Sequence, residues 1–289
     1  MTSTTRKRRN RTQRTKKTRL VLTERDREIV RALFRFRFLT SRQLADMFFT
    51  SKSKADRRLR ELFDHGFLDR IDRPTTGGRA ELIYAIWKEG AKLLSAEQEM
   101  QKADLPWKPS KNKVRPERLQ HELDIVSVHL AVDSSVIATP GVSWLFWQDR
   151  QEIVSRKSWE LLNTGSSKTG RLKLIPDAFF GLQMPKGRTV FFLELDRGTE
   201  APRVFRDKLL VYQLAFERGL VQKATGLRAF RVLTVTPEER RLQALLKLAT
   251  AMRHPLLFWF TTIDMIEVAD ILSGEAWRTA RTSNKPIIL

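Results

Sequence analysis

Cysteine is absent from this chain of 289 residues, and tyrosine and histidine are scarce, with 2 and 4 copies. Without cysteine the chain forms neither a disulfide framework nor a thiolate metal site. The histidines are scattered singly, which argues against a histidine cluster that binds a metal. Tyr84 and Tyr212 are the only candidates for a tyrosine nucleophile. Tyr84 lies in an apolar strand pattern typical of a protein core, so we disfavour tyrosine chemistry.

Long apolar runs are also missing from the sequence. The longest stretches are far below the ~20 residues that span a bilayer. The N-terminus is polar and basic, without the apolar region of a secretory signal. We therefore expect a soluble, cytoplasmic protein with no membrane partner. Neither Gly-x-x-x-x-Gly-Lys-Ser/Thr nor Gly-x-Gly-x-x-Gly occurs, so nucleotide hydrolysis and dinucleotide binding are unsupported.

Acidic residues are outnumbered by basic ones, and the formal net charge is +21. Lys and Arg side chains release counterions from phosphates, so this balance predicts a polyanionic partner. Ribosomal or membrane-surface binding would fit the charge alone; together with the patterns below, we expect double-stranded DNA. Residues 1–19 contain no acidic residue and little apolar surface. We predict a disordered basic arm over 1–19 that lies along phosphates through residues such as Arg8 and Arg9. The alternative is a solvated tail that only aids solubility.

Residues 20–98 show the element order of a winged helix-turn-helix domain. Three short helical patterns are followed by two strand patterns joined by a turn that is rich in Gly and Pro. In such a domain the third helix enters the major groove and the hairpin meets the DNA backbone. The basic residues of the third helix, and two at the hairpin turn, are the predicted DNA contacts: Lys52, Lys54, Arg57, Arg58, Arg60, Arg73 and Arg79. An ordinary solvated helix face is the alternative for the first five.

Residues 99–113 lack periodicity and contain several prolines and lysines, which predicts a linker. A second domain over 114–289 then follows the order helix, three strands, helix, strand, helix and strand. The passage from strand through helix to strand implies one parallel pairing within a mixed sheet. The expected fold class is therefore mixed, α+β or α/β.

Acidic residues lie beside two apolar strand patterns of this second domain. Asp177 adjoins the first strand pattern, and Glu194 and Asp196 end the second. Carboxylates at neighbouring strand ends repel one another unless a cation or a proton lies between them. Hard oxygen ligands suit Mg²⁺ or Mn²⁺, so we predict a metal held by Asp177 and Glu194. Asp196 or Glu122 would orient a ligand or the attacking water. The alternative is that Glu194, Asp196 and Glu200 form structural ion pairs with Arg197, Arg203 or Arg206.

Several motifs resemble the replication-relaxation family of plasmid and mobile-element proteins. In order they are Phe38-Leu39-Thr40, the Arg57–Leu62 string, Gly66-Phe67-Leu68, His121-Glu122-Leu123, Pro176-Asp177, and Glu194-Leu195-Asp196-Arg197-Gly198-Thr199-Glu200. The last string is the most specific. The resemblance implies a role in plasmid replication and DNA relaxation, and a bacterial protein associated with the nucleoid or a plasmid.

The second domain is also similar in element order to the PD-(D/E)XK nuclease fold. By that resemblance Glu122 is the helical acid, and Asp177 and Glu194 are the acids of two successive strands. The sequence departs from the pattern where the lysine expected two residues after Glu194 is Asp196. Lys208 on the following helix is the candidate replacement, because such folds sometimes take the lysine from elsewhere.

Our leading functional hypothesis is a metal-dependent nickase that acts on a specific DNA site. The first alternative is a DNA-binding replication or transcription factor that keeps the nuclease-like fold without catalysis. The second is an adaptor that recruits other replication or conjugation proteins. The sequence leaves open whether a homodimer forms on an inverted repeat.

Overall fold

The computed structural model describes residues 13–15, 20–71, 81–97, 107–155, 175–227, 229–272 and 276–280. The chain divides into two compact units, Met1–Val126 and Ser127–Leu289. The dividing point falls after Val126, inside a long helix, whereas the sequence places the start of the second domain at 114. The domain boundaries proposed from sequence, with a linker over 99–113, stay a prediction.

The first unit contains four helices and a small sheet, and it shares a fifth helix with the second unit. Its helices are α1 Glu24–Phe36, α2 Ser41–Phe48, α3 Lys52–Asp64 and α4 Lys88–Glu97, and the shared helix is α5 Pro116–Ala138. Its strands are β1 Leu39–Thr40, β2 Leu68–Ile71 and β3 Ile83–Ile86. They pair antiparallel in the order β1-β3-β2. The predicted succession of three helices and two strands is present, and a winged-helix function for it stays a prediction.

Local sequence signals fix where these helices begin. Thr23 caps α1 in a reciprocal box with Asp26, and Thr40 caps α2 in the same way with Gln43. Such boxes satisfy backbone N–H groups that a helix leaves unpaired at its start. Ser41 is the first helical residue of α2. Gly66, with φ +82°, ends α3 in the left-handed conformation that glycine tolerates best.

Three residues of the predicted disordered arm have a defined place. The backbone N–H of Thr15 donates to Asp64 Oδ1 at 3.1 Å, and its hydroxyl donates to Asp64 Oδ2 at 2.9 Å. Arg14 donates from Nη2 to the carbonyl of Leu68 at 3.0 Å and lies over the Phe63 ring at 4.2 Å. The carboxylate of Asp64 and the Leu68 carbonyl thus supply partners for Arg14 and Thr15, and the disordered arm over 1–19 stays a prediction. Arg8 and Arg9 lie outside the described residues.

The second unit is built on a five-stranded mixed sheet, as the sequence predicts. Its strands are β4 Ser143–Asp149, β5 Ala178–Met184, β6 Gly187–Leu195, β7 Phe230–Thr236 and β8 Phe258–Thr262, in that spatial order. The first three strands pair antiparallel, and the pairs β6-β7 and β7-β8 are parallel. The helices of this unit, in addition to its part of α5, are α6 Arg150–Ser155, α7 Pro202–Glu217, α8 Leu220–Thr225, α9 Glu239–Thr250 and α10 Ile263–Val268.

The core of the second unit lies between the sheet and the helices α7 and α9. Phe205, Leu209 and Leu245 pack with the strand residues Phe192 and Val232, and all five are buried. Each parallel pair needs a crossover connection, and α7 with α8 supplies it between β6 and β7. This crossover places one face of α7 over the end of β6. Within the described ranges, no helix has the length and apolar character needed to cross a membrane.

Candidate functional site

Two buried carboxylates meet where β5 begins and β6 ends. Ala178 pairs with Leu193 in the antiparallel register, so Asp177 lies beside the end of β6. The backbone N–H of Asp177 donates to the Leu193 carbonyl at 3.0 Å, and the Leu195 N–H donates to Asp177 Oδ2 at 2.9 Å. The relative exposure is 7% for Asp177 and 3% for Glu194. The sheet thus brings together the two acids that the sequence singled out as metal ligands.

Helix α7 supplies two partners for Glu194. The hydroxyl of Tyr212 donates to Glu194 Oε1 at 2.6 Å, and Lys208 Nζ donates to Glu194 Oε2 at 3.1 Å. Lys208 and Tyr212 lie one helical turn apart and therefore share the face of α7 that covers β6. The structure places Lys208 beside Glu194, as expected for a lysine that replaces the one missing from the strand.

Glu200 completes this ionic cluster. Its Oε1 accepts a hydrogen bond of 2.8 Å from Lys208 Nζ. Lys208 thus bridges a buried carboxylate of the strand and a half-buried carboxylate of the loop that precedes α7. Our alternative hypothesis assigned Glu194 and Glu200 to arginines nearby in sequence. Both acids pair with Lys208, and the ion pairs with Arg197, Arg203 or Arg206 stay a prediction.

The electrostatics of the cluster are dominated by burial. Burial raises the pKa of Glu194, the positive charge of Lys208 opposes the rise, and the negative charge of Asp177 adds to it, so that the pKa reaches about 7. Burial acts to lower the pKa of Lys208, but Glu194 and Glu200 outweigh it and leave this pKa raised. Burial and the charge of Glu194 raise the pKa of Tyr212 well above its usual value. Near neutral pH the cluster therefore gains or loses a proton readily at Glu194.

Asp196 contacts Arg241 and the loop that follows β6. Its Oδ2 accepts hydrogen bonds from Arg241 Nη2 at 2.6 Å and from Arg241 Nε at 3.1 Å. Its Oδ1 accepts the Gly198 N–H at 2.6 Å. Arg241 also donates to the Glu200 carbonyl at 2.8 Å. These bonds tie Asp196 to the loop after β6, and its part in orienting a ligand or the attacking water stays a prediction.

Arg150 adds a positive charge at the open side of Asp177. Its Nη1 lies 3.5 Å from Asp177 Oδ1 and donates to the Ile175 carbonyl at 2.9 Å. The side chain of Arg150 is half exposed. Sequence analysis missed Arg150, Arg241 and the link from Glu200 to Lys208. The first two lie on α6 and α9, and no spacing along the chain indicates that they approach the ends of β5 and β6.

Glu122, the predicted helical acid, lies on α5 in the first unit. Its Oε1 accepts hydrogen bonds from Arg37 Nη1 at 2.6 Å and from Arg118 Nε at 3.1 Å. Arg37 has a φ of +66°, which is uncommon for a residue with a side chain. The described contacts give Glu122 the role of a partner for these arginines. A catalytic part for Glu122 stays a prediction without support from them.

The donor set fits a hard divalent cation with few protein ligands. Across the described ranges, no group of three or more His, Asp or Glu side chains is placed to hold a metal. Mg²⁺ commonly uses one or two carboxylates and completes its octahedron with water and phosphate oxygens. Asp177 and Glu194 provide that number of ligands. Burial and the charge of Asp177 raise the pKa of Glu194, so a cation bound here would have to displace a proton from Glu194 near neutral pH.

Both tyrosines are engaged inside the protein. Tyr84 is buried and its hydroxyl accepts a hydrogen bond of 3.1 Å from Arg70 Nη2. Tyr212 is buried and donates to Glu194. Neither hydroxyl is exposed to attack a DNA phosphate, which agrees with our preference against a tyrosine nucleophile.

The predicted DNA contacts of α3 separate into two groups. Arg58 donates to the buried carboxylate of Asp26 from Nε at 2.9 Å and to Glu61 at 2.9 Å. Arg60 pairs with Asp64 at 3.0 Å, and the exposed Lys52 pairs with Asp56 at 3.0 Å.

Lys54 and Arg57 form the other group. Both are exposed, and within the described part of the chain neither has a partner. They present their charges to solvent on the same face of the helix. Arg73 and Arg79, at the predicted wing tip, lie outside the described residues.

Comparison with known proteins gives one family and one weak structural likeness. The family model described as replication-relaxation matches residues 30–229. No curated protein matches the chain. The restriction endonuclease FokI aligns with a TM-score of 0.29 and 11% identity, over 85% of this chain and 43% of that one. The chain thus spans less than half of that protein, and a likeness of this strength carries no argument about the fold or the reaction.

Proposed function

We propose that this chain, which belongs to the replication-relaxation family, binds DNA and hydrolyses a phosphodiester bond at Asp177, Glu194 and Lys208. Family membership supports a role in DNA processing. The observation that carries the catalytic proposal is the placement of Lys208 Nζ at 3.1 Å from Glu194, beside the buried Asp177. Two acids and a lysine in one buried cluster are the groups that metal-assisted phosphate chemistry needs.

Each residue of the cluster has a role in this proposal. Asp177 and Glu194 hold Mg²⁺ or Mn²⁺ through their carboxylate oxygens, and the bound metal supplies a polarised phosphate and an activated water. Lys208 neutralises negative charge that grows on the phosphate in the transition state. Tyr212 fixes the carboxylate of Glu194 by its short hydrogen bond. Asp196 and Arg241 brace the loop between β6 and α7.

DNA binding in this proposal rests on the exposed cations of the first unit. Lys54 and Arg57 project from α3 without partners in the described part of the chain, as residues that contact DNA would. Arg58 is left out of the interface because its guanidinium is bound to Asp26 and Glu61. We retain the winged-helix interpretation, in which α3 enters the major groove. The arm and the hairpin tip, with Arg8, Arg9, Arg73 and Arg79, would add contacts to phosphates.

The family and the chemistry of the cluster together suggest the substrate, the product and the partners. The substrate would be a specific duplex site on a plasmid or mobile element in a bacterial cytoplasm. Hydrolysis by metal and water leaves no covalent link to the protein, so the product would be a simple nick. Other replication or conjugation proteins, and a second copy of the chain, are partners that the same role would call for.

A second candidate is a DNA-binding protein without catalysis. It is favoured by the position of Asp196, where the nuclease pattern has lysine, and by the pairing of Asp196 with Arg241. In this alternative the acidic cluster only stabilises the end of β6, and the domain serves as a scaffold for replication or transcription control.

Incubation with supercoiled DNA separates the two candidates. The purified protein is mixed with a plasmid that carries its own parent sequence, with Mg²⁺ or Mn²⁺ or with EDTA, beside the Asp177→Ala variant. Open-circular product that needs both the metal and Asp177 supports the nickase. Tight, sequence-selective binding without any product would replace it with the non-catalytic alternative.

A further inference from the structure

The second unit contains a cavity at the other end of the sheet from the candidate site. Its volume is about 480 Å³, within the range that small-molecule sites occupy. Its lining residues are Phe216, Ala229, Arg231, Arg253, His254, Pro255, Leu256 and Leu257. Glu194 pairs with Thr234 in the parallel register, whereas Arg231 pairs with Phe191 nearer the start of β7. At ~3.3 Å per strand residue, the two positions lie roughly 10 Å apart along the strand.

Arg231 is the feature that suggests an anionic ligand. It is half buried, and its Nη1 donates to the Phe230 carbonyl at 2.9 Å. The guanidinium lies 5.8 Å from the centre of the Trp259 ring. Among the residues that the structure describes, no carboxylate pairs with it. Burial lowers the pKa of Arg231, and a partly desolvated cation without a counterion is unfavourable unless an anion joins it.

The neighbouring side chains Arg253 and His254, unlike Arg231, lie beside a carboxylate. Arg253 Nη1 and His254 Nε2 each lie 3.4 Å from the same carboxylate oxygen of Glu217. Glu217 thus pairs with Arg253 and His254, whereas Arg231 has no carboxylate partner among the described residues. Arg253 is exposed and can turn toward an anion at the mouth. Two arginines therefore line one cavity, and guanidinium groups bind phosphate strongly through charged hydrogen bonds.

The remaining walls are apolar or aromatic. The Phe216 ring lies 5.0 Å from the His254 ring, and Pro255, Leu256 and Leu257 form the opposite run. A flat apolar group would pack against these walls, as nucleic-acid bases do when they stack on aromatic rings. An inorganic anion alone would leave that surface unused.

We propose that this cavity binds a nucleoside monophosphate unit, with its phosphate on Arg231 and Arg253 and its base against Phe216 and Leu256. The unit comes either from a free nucleotide or from the 5′-phosphorylated end of a DNA strand, since both present the same chemistry. The site is separate from the acidic cluster, so nucleotide binding at this cavity does not depend on DNA cleavage.

Titration calorimetry of the full chain with deoxyadenosine 5′-monophosphate tests the site. Arg231→Gln and Arg253→Gln should each weaken binding by roughly tenfold or more, because each removes a charged hydrogen bond to phosphate. The matched control is Arg240→Gln, an exposed arginine of α9 outside the cavity, and it should bind within about twofold of the wild type. Arg253 is a surface residue, so its variant tests the proposal even if Arg231→Gln fails to fold.

Three further probes identify the ligand and its source. Deoxyadenosine and inorganic phosphate should each bind at least roughly tenfold more weakly than the complete nucleotide, since each lacks one half of the contacts. A 5′-phosphorylated dinucleotide that competes with the nucleotide would support a DNA end, and its failure to compete would support a free nucleotide. No binding of the nucleotide at millimolar concentration, or unchanged binding by both arginine variants, would overturn the proposal.

Discussion

Lys208 reaches from α7 to donate a hydrogen bond of 3.1 Å to Glu194, the last acidic residue of β6. The strand itself carries Asp196 at the position where the nuclease pattern has a lysine. A positive charge is nevertheless present at the cluster, because the helix that follows the strand supplies it. The Lys208–Glu194 pair therefore supports the catalytic hypothesis, although β6 is followed by Asp196 and not by the expected lysine.

Replacing Lys208 by methionine should reduce DNA nicking by roughly a hundredfold, the usual effect of removing one group that stabilises transition-state charge. DNA affinity should change little, since the side chain is turned toward Glu194 and Glu200. The matched control is Lys247→Met, an exposed lysine of α9. Gel assays of nicking and of binding on the same preparations measure both effects. Equal loss of nicking in the two variants would contradict a specific role for Lys208.

The pKa of about 7 at Glu194 predicts how stability varies with pH. This folded-state pKa is raised above the unfolded value, so the folded protein holds an extra proton between about pH 4.5 and 7. Its contribution to stability is complete below pH 4.5 and is lost as the pH rises through 7. From pH 5 to 7.5, the metal-free wild type should lose more free energy of unfolding than Glu194→Gln, by on the order of 2 kcal/mol. Urea denaturation at the two pH values measures this difference, and identical losses would contradict it.

Arg57 and Arg58 should behave oppositely although they are adjacent. Arg58→Ala leaves the carboxylate of Asp26, with 0% exposure, without its cation, and should lower the free energy of unfolding by about 3 kcal/mol. Arg57→Ala should leave stability within about 0.5 kcal/mol and weaken DNA binding with a smaller salt dependence. Arg188→Ala, an exposed arginine of the second unit, is the control for DNA binding. Denaturation curves measure the stability of both variants, and DNA titrations at several salt concentrations measure their affinity. The same loss of stability in Arg57→Ala and Arg58→Ala would contradict the prediction.

Replacing Gly90 in α4 by alanine should destabilise the protein, although helices usually favour alanine over glycine. Alanine stabilises a helix interior by about 1 kcal/mol relative to glycine. A Cβ at position 90 would lie 2.5 Å from the backbone carbonyl oxygen of Phe67 and 3.0 Å from a side-chain carbon of Ile86. The backbone of Phe67, which directly precedes β2, cannot shift at low energetic cost, so Gly90→Ala should destabilise the protein by about 1–3 kcal/mol. Thermal denaturation shows whether Gly90→Ala lowers or raises stability, and a rise in Tm would contradict this prediction.

Much of the second unit could be predicted from the sequence because its signals are local. Apolar runs next to Asp177 and Glu194 mark strands, and the helix pattern after Pro202 brings Lys208 back over them. The order of elements then determines which strands are parallel. These facts need only the periodicity of each segment and the rule for crossovers.

The partners of the charged residues could not be predicted in the same way. Arg241 reaches Asp196 from α9, and Arg58 reaches Asp26 from α3 across the first unit. Nearby arginines such as Arg203 were equally plausible partners from sequence spacing. Long flexible side chains pair according to the packing of distant elements, which neither composition nor periodicity encodes. For the same reason Gln13–Thr15 were expected to be disordered, although Asp64 and Arg60 bind them.

The most direct test of the central claim is nicking by Glu194→Gln measured at matched DNA occupancy. The substitution keeps the size of the side chain and removes the charge that would hold the metal. We expect Mg²⁺- or Mn²⁺-dependent nicking by the wild type, and a loss of at least roughly a hundredfold in the variant, with DNA affinity unchanged. Equal nicking by the two proteins, or saturated DNA binding by the wild type without any nick, would contradict the account.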